Sequence, residues 1–272
     1  MGTLYLVATP IGHLEDVSLR ALRVLRDVRL IASEDTRRTR KLLTRYAIRT
    51  RQISYHDHSP PSRRRALLAA LEGGDVALVS DAGTPGLSDP GYELVRAAWE
   101  HGHTVRPIPG ASAALAALVA SGLPADAFTF LGYLPRQRAE RRRRLEAVKS
   151  EPRTLVFFEV PHRVRAALTD LEAVLGGDRP AALCRELTKV HEDIQRGSLA
   201  ELRARLPAAP RGEFTLVVGG APAAERWSEA QVRAALRAAT GRGLSASRAA
   251  RSVAQESGWS RNDVYRLTLE GR

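Results

Sequence analysis

Three short stretches of this chain set turn-forming and small residues where a ligand could be held. ATPIG (Ala8 to Gly12) interrupts the chain with Pro10 and Gly12 straight after an apolar run. VSDAGTPGLSDPG (Val79 to Gly91) follows the apolar DVALV and carries Asp81 and Asp89 among its glycines and prolines. PGASA (Pro109 to Ala113) turns tightly into a run of small residues that lets a ligand approach the backbone. Glycine-rich turns between a strand and a helix commonly cradle phosphate through backbone amides. Here neither G-x-G-x-x-G nor G-x-x-x-x-G-K-[ST] is present, and Asp81 and Asp89 repel phosphate. An acidic glycine-proline loop suits a ligand that is uncharged or cationic at the contact, a description met by the sulfonium and amino groups of S-adenosylmethionine.

Acid–base chemistry has several candidates. A general acid or base must lie within hydrogen-bond reach of the proton it moves. Asp35 after RLIAS, His56 and His58 in SYHDHS, Glu159 and His162 in FFEVPHR, and Glu186 in CREL are the available groups. Each has a structural alternative. Glu34 and Asp35 can cap the helix that starts near Thr36; Glu159 with Arg163, or Arg185 with Glu186, can form ion pairs. His56 and His58 have the i, i+2 spacing of one strand face, but a metal site needs further ligands, so no metal is expected. Cys184 is the only cysteine, which excludes an internal disulfide and reads as a small apolar strand residue.

The formal net charge is +12, and 39 of the 42 basic residues are arginine in a chain also rich in alanine. Distribution is therefore more informative than total. Arg37 to Arg65 holds ten basic residues against Asp57, and Arg136 to Arg144 holds six arginines against Glu140. Such local concentration is the footprint of a polyanion partner. Arg37, Arg38, Arg40, Arg136, Arg141, Arg142, Arg143 and Arg144 are the candidate phosphate contacts, with Tyr55 and Tyr133 available to stack on a base. Aromatic residues make up 5% of the chain, too few for an extended stacking platform.

The elements that must position these residues alternate. LYLVA, RLIAS, RQISYH, DVALVSD and TVRPIP read as strands, separated by helical patterns such as Leu19 to Val28, capped by Ser18, and Arg63 to Leu71, stopped by Gly73 and Gly74. A second set, FTFLGYL, TLVFFEV, AALCREL and FTLVVGG, is interleaved with helices near Arg138 to Val148 and Val164 to Leu175. This implies an α/β fold of two α/β domains with mostly parallel or mixed sheets, residues 1–122 and 123–221. After the linker APAAE, capping patterns at Ser228/Gln231 and Ser260/Asp263 predict a small helical module over 226–272. No apolar stretch reaches the roughly 20 residues that span a bilayer, and MGTLYLVATPIG lacks a secretory signal's basic start, so a cytoplasmic protein is expected.

In order, LYLVATPIGHLEDVSLRAL, ASEDTR, SYHDHS, VSDAGTPGLSDPG, PGASA, LGYLPR, FFEVPHR, CRELTKVHE and RGEFTLVV resemble the branch of the tetrapyrrole methylase family that methylates cytidine 2′-hydroxyls in small-subunit ribosomal RNA. The resemblance runs from residue 3 to about 220. It implies a homodimeric S-adenosylmethionine-dependent enzyme with the cofactor in a cleft between domains and ribosomal RNA as partner, without DNA or membrane. It assigns cofactor contacts to Pro10; to Asp81, Ala82, Gly83, Thr84 and Leu87; to Ser112 and Ala113; and to Phe158, Pro161, Leu187 and Phe214. His13, Tyr133 and Val160 depart from the residues usual in the family. The alternatives are methylation of a tetrapyrrole and an RNA-binding protein without activity.

Overall fold

Five runs of the first half pair in parallel: β1 (Thr3–Val7), β2 (Leu30–Ser33), β3 (Gln52–Ser54), β4 (Val76–Val79) and β5 (Thr104–Ile108), in the order β3-β2-β4-β1-β5. The computed structural model in which this is seen describes residues 2–222 and 227–270. β2 and β4 are buried at every residue, as strands covered on both faces must be. One face is packed by α1 (Leu19–Asp27) and α2 (Thr36–Arg45), through Leu22, Leu25, Leu42 and Leu43. The other is packed by α3 (Pro61–Glu72) and α4 (Tyr92–Glu100), through Leu67, Leu71, Leu94 and Ala98. Ser18 caps α1 as expected, accepting from the Ala21 amide.

The second sheet is mixed. The helix α5 (Ala113–Ser121) leads to β6 (Phe128–Tyr133), α6 (Arg138–Glu146), β7 (Thr154–Glu159), α7 (Pro161–Leu175), β8 (Pro180–Arg185), β9 (Asp193–Ser198), α8 (Leu199–Arg205) and β10 (Phe214–Val218). The order is β6-β7-β10-β8-β9, with β6 and β7 parallel and the remaining pairs antiparallel. Alternation in β7 sends Leu155 and Phe157 to the core beneath α6, α7 and α8, and Val156 to the opposite face. That opposite face is covered by α5, whose Ala114, Ala117 and Leu118 meet Val156, Ala182, Cys184 and Val217.

Two features differ from expectation. The sequence places α5 at the end of the first domain, but its packing belongs to the second sheet, because its small side chains let it lie close on that face. A boundary at residue 122 therefore cuts a helix from the sheet it covers, and the two α/β halves form one unit that ends at Gly220. β9 is not among the expected strands, because DIQRGS is polar; as an edge strand it pairs on one side only and needs no apolar run.

The second unit is a bundle of α9 (Glu229–Gly241), α10 (Ala246–Ser257) and α11 (Arg261–Glu270), with Val232, Leu236, Ala250, Val253, Val264 and Leu267 at its centre. Both predicted caps form: Ser228 with Gln231, and Ser260, whose hydroxyl accepts from the Asp263 amide at 3.1 Å. Positions 223–226 of the linker region lie outside the described residues, as do 271 and 272. Among the described residues no helix is long and apolar enough to cross a membrane.

Candidate active site

Because β1, β2, β4 and β5 are parallel, their carboxyl ends share one sheet edge, and the loops that leave them meet there. The Thr9 and Gly83 amides donate to each other's carbonyls at 2.9 Å, joining the first and second loops. Gly83 has φ +78, a conformation other residues rarely adopt. The third loop lies so close to the first that a Cβ on Gly110 would fall 2.9 Å from the Ala8 Cβ. The Thr84 hydroxyl donates to the Ala111 carbonyl at 3.3 Å, tying the second loop to the third. A reciprocal pair joins the ends of β2 and β4: the Asp35 amide donates to Asp81 Oδ1 at 2.9 Å, and the Asp81 amide to Glu34 Oε2 at 3.1 Å.

The second sheet supplies the facing wall. Its antiparallel pairing of β7 and β10 sets Phe214 opposite Glu159 and Thr215 opposite Phe158, while parallel β6 sets Tyr133 beside Phe158. The Tyr133 and Phe158 rings meet edge to face at 5.7 Å between centroids. The strand β6 bulges between Phe130 and Gly132, and a Cβ on Gly132 would lie 2.6 Å from the Ser88 hydroxyl, so this strand abuts the second loop.

Between these walls lies a cavity of about 240 Å³. The first half contributes Ile11, Glu34, Arg38, Asp81 to Thr84, Leu87, Asp89, Ser112 and Ala113. Tyr133, Phe158, Glu159, Glu213, Phe214 and Thr215 complete it. Five carboxyl groups line it: Asp81 pairs with Arg38 at 3.4 Å, Glu159 with Arg163 at 3.3 Å and Glu213 with Lys189 at 2.9 Å, so carboxyls outnumber their cationic partners and the lining is acidic. Burial pushes the carboxyls of Glu34 and Glu159 above the ordinary carboxylate range, and raises Asp89 to about 7.

Nine of the twelve expected cofactor residues line this cavity: Asp81, Ala82, Gly83, Thr84, Leu87, Ser112, Ala113, Phe158 and Phe214. Three do not. Pro10 is a buried residue of the first loop, Leu187 packs in the apolar layer with α5, and Pro161 opens α7 beside His162 on a separate surface depression. Of the base candidates, Glu159 alone lines the cavity. Its carboxylate accepts from the Val160 amide at 2.9 Å and from Arg163 at 3.3 Å. Asp35 caps α2 and is gripped by Arg37 through Nε and Nη2 at 3.1 and 2.8 Å; hydrogen bonds from Arg37 hold its pKa down to about 2. Glu186 is bound to Lys189 at 2.8 Å and to the Glu213 amide at 2.8 Å. His56 and His58 lie in the exposed turn after β3, not on a shared strand face, and no metal-holding cluster occurs among the described residues.

The arginines divide. Arg37, Arg40, Arg136, Arg142, Arg143 and Arg144 are exposed, and Arg38 faces the cavity. Arg141 is a correction: it is 5% exposed and donates to Asp170 at 2.6 and 2.9 Å and to the Pro135 and Arg136 carbonyls, so its guanidinium is turned into the protein and away from any phosphate. Tyr55 is likewise core, at 6% exposure. Sequence reasoning missed Ile11, Glu213 and Thr215 as lining residues and treated Glu34 only as a cap. The position of Asp89 in the loop is visible in the sequence, but its partial burial is not.

The model of the Tetrapyrrole (Corrin/Porphyrin) Methylases matches residues 3–203. The chain belongs to the tetrapyrrole methylase family. A further model, described as the RsmI C-terminal HTH domain, matches residues 228–272. The chain is 49% identical to a Ribosomal RNA small subunit methyltransferase I of Synechocystis sp., over 99% of this chain and 98% of that one. It is 53% identical to the protein of the same name from Micromonospora olivasterospora, over 97% and 85%. Among solved structures, uroporphyrin-III C-methyltransferase from Thermus thermophilus complexed with S-adenyl homocysteine superposes with a TM-score of 0.54 at 22% identity, covering 80% of this chain and 97% of that one. This last likeness is one of fold.

Proposed function

We propose that the cleft binds S-adenosylmethionine and that the chain methylates the ribose 2′-hydroxyl of a cytidine in small-subunit ribosomal RNA. The observation that carries this reading is the acidic cavity itself, walled by the three loops in a chain about half identical to enzymes named for ribosomal RNA methylation. A lining of Glu34, Asp81, Asp89, Glu159 and Glu213, whose cationic partners are Arg38, Arg163 and Lys189, keeps an excess of carboxyls that fits a sulfonium and an ammonium group and opposes a phosphate. The Ser112 hydroxyl, buried and without a hydrogen-bond partner among the described residues, fits a polar group of the same ligand. When bound, S-adenosylmethionine supplies a methyl carbon made electrophilic by its sulfonium.

The chain's own contribution is position and a place for a proton. The loop Asp81 to Leu87 and the Ser112–Ala113 turn hold one side, and Phe158, Phe214 and Tyr133 present aromatic surface on the other. Alignment of the acceptor oxygen with the methyl carbon at about 3 Å supplies much of the rate. Asp89 lines the same cavity, and its carboxyl, raised by burial to about 7, is matched to receiving the hydroxyl proton near neutral pH. The exposed arginines of α2 and α6 neutralise backbone phosphates of the substrate. We infer a homodimer that acts in the cytoplasm on the assembled subunit.

The test is to incubate the protein with radiolabelled S-adenosylmethionine and either small subunits or bare ribosomal RNA, then map the label by nuclease digestion. One labelled cytidine ribose, favoured in the subunit, is the expected result. Tight cofactor binding without labelled RNA would refute the reading, and label on a tetrapyrrole instead would replace it.

A further inference from the structure

The exposed face of α11 is chemically unlike the rest of the C-terminal bundle. Val264 and Leu267 point into the bundle, against Ala249, Ala250 and Val253 of α10. The turn between these helices is three residues long and begins at Gly258, in the left-handed conformation with φ +69. Two helices joined this way form the helix-turn-helix frame, in which the second helix presents its outer face to nucleic acid. On that outer face stand Arg261, Asn262, Tyr265, Arg266 and Leu269, at spacings of four that make one stripe.

The chemistry of the stripe narrows the partner. Residues 227–270 carry seven arginines against four acids, a net +3, so the module attracts polyanions on its own account. Arg261 donates to the Ser247 hydroxyl of α10 at 3.1 Å, and Arg266 meets Asp263 at 3.3 Å; both side chains are set in place along the surface. Arg251, one turn after Ser247, lies exposed on the same side of α10. Tyr265 stands between Arg261 and Arg266 with 41% of its surface open, too exposed for a core residue and well placed for a base to stack upon. A duplex RNA major groove is too deep and narrow to admit a helix, whereas an unpaired strand offers both phosphates and free base faces.

We propose that the α11 face binds an unpaired strand of ribosomal RNA, with Arg261 and Arg266 on phosphates and Tyr265 stacked on a base. The module is then a second hold on the substrate, made by residues other than those of the methyl-transfer cleft. This rests on ribosomal RNA being the substrate, and the test reads binding directly so that the two ideas fail separately.

The full-length protein, wild type and Arg261→Gln/Arg266→Gln, is titrated against protein-free small-subunit ribosomal RNA over a range of salt. A random-sequence DNA duplex is the second probe. The double variant is expected to bind the RNA about tenfold more weakly, with a salt slope smaller by roughly 1.5, the share of two phosphate contacts. Tyr265→Ala is expected to weaken binding roughly fivefold or more without changing the slope. Arg261→Lys/Arg266→Lys retains the slope and serves as the folding control. An unchanged affinity and slope in the glutamine variant overturns the proposal. So does tighter binding to the DNA duplex than to the RNA, or a loss in the lysine variant equal to that in the glutamine one. Absence of RNA methylation by the wild-type protein would instead count against the proposed function, while the binding measurements alone decide the role of this face.

Discussion

Two arginine-rich helices, α2 and α6, look alike as sequence and differ in what the fold does with them. In α2, Arg38 turns toward the cavity and pairs with Asp81, Arg37 closes on the capping Asp35, and Arg40 stays exposed. In α6, Arg141 is drawn wholly inside to Asp170, a residue of α7 that is 1% exposed, and Arg142 to Arg144 point outward. One buried acid decides the difference. A carboxylate at that depth needs cationic partners, and Asp170 has two from the neighbouring helix: Arg138, which reaches in from the surface at 3.3 Å, and Arg141, which is drawn inside at 2.6 Å. A run of like residues therefore cannot be read as a single surface. Each position answers to the nearest opposite charge and to the depth at which that charge lies.

The comparison breaks most visibly at Arg141. Replacing it with methionine is expected to destabilise the fold by about 3 kcal/mol, because the buried Asp170 loses its two short bonds and keeps only the longer contact from Arg138 at 3.3 Å. Pairing that change with Asp170→Leu restores most of the loss, measurable by chemical denaturation. If Arg141→Met instead weakens RNA binding without lowering stability, the division of α6 is wrong.

Next in size is the cleft that Arg38 overlooks. Asp89→Asn is expected to lower kcat about a hundredfold or more and to remove the alkaline rise of kcat/KM near pH 7. The same group has a stability signature. Its folded pKa lies above the ordinary aspartate value of 3.8, so its contribution is fully present below that value and is lost as pH rises through about 7. Asp89→Asn should therefore have a Tm that falls less than the wild type's between pH 5 and 8. Thermal scans across that window check it, and parallel curves would remove Asp89 from the role of proton acceptor.

A smaller effect belongs to the outward part of α6. Changing Arg142, Arg143 and Arg144 to glutamine should reduce the salt slope of RNA binding by roughly 2 and leave stability within about 0.5 kcal/mol of wild type. An unchanged slope would take α6 out of the RNA surface altogether. The smallest effect is expected at Arg37→Gln, whose exposed pairing with Asp35 leaves cofactor affinity and Tm where they were, as calorimetry would show.

Much of the cleft is legible in the sequence because its parts are local. The turn residues of SDAGTPG and PGASA announce themselves, and the strands before them are short apolar runs. Phe158 and Phe214 are within reach too, since they sit on strands whose pattern is clear. What escapes depends on pairings made far along the chain. Thr215 and Glu213 enter the cavity only because β10 runs antiparallel beside β7, a register that no local pattern encodes. The allegiance of α5 is hidden because its apolar face has no strong direction, and only the sheet it meets decides which half owns it. The burial of Arg141 is hidden for the same reason, since its partner Asp170 lies 29 residues away.

The crossed hydrogen bonds between Asp35, Asp81 and Glu34 have a consequence for the timing of ligand capture. Each strand end holds the other by an amide given to a neighbour's carboxylate, so this part of the pocket rim takes its shape when the protein folds. The conformational entropy of ordering this rim thus falls on folding, not on the encounter with the methyl donor. Arrival then resembles insertion into a finished socket, and differences in affinity among rim variants should show as differences in residence time.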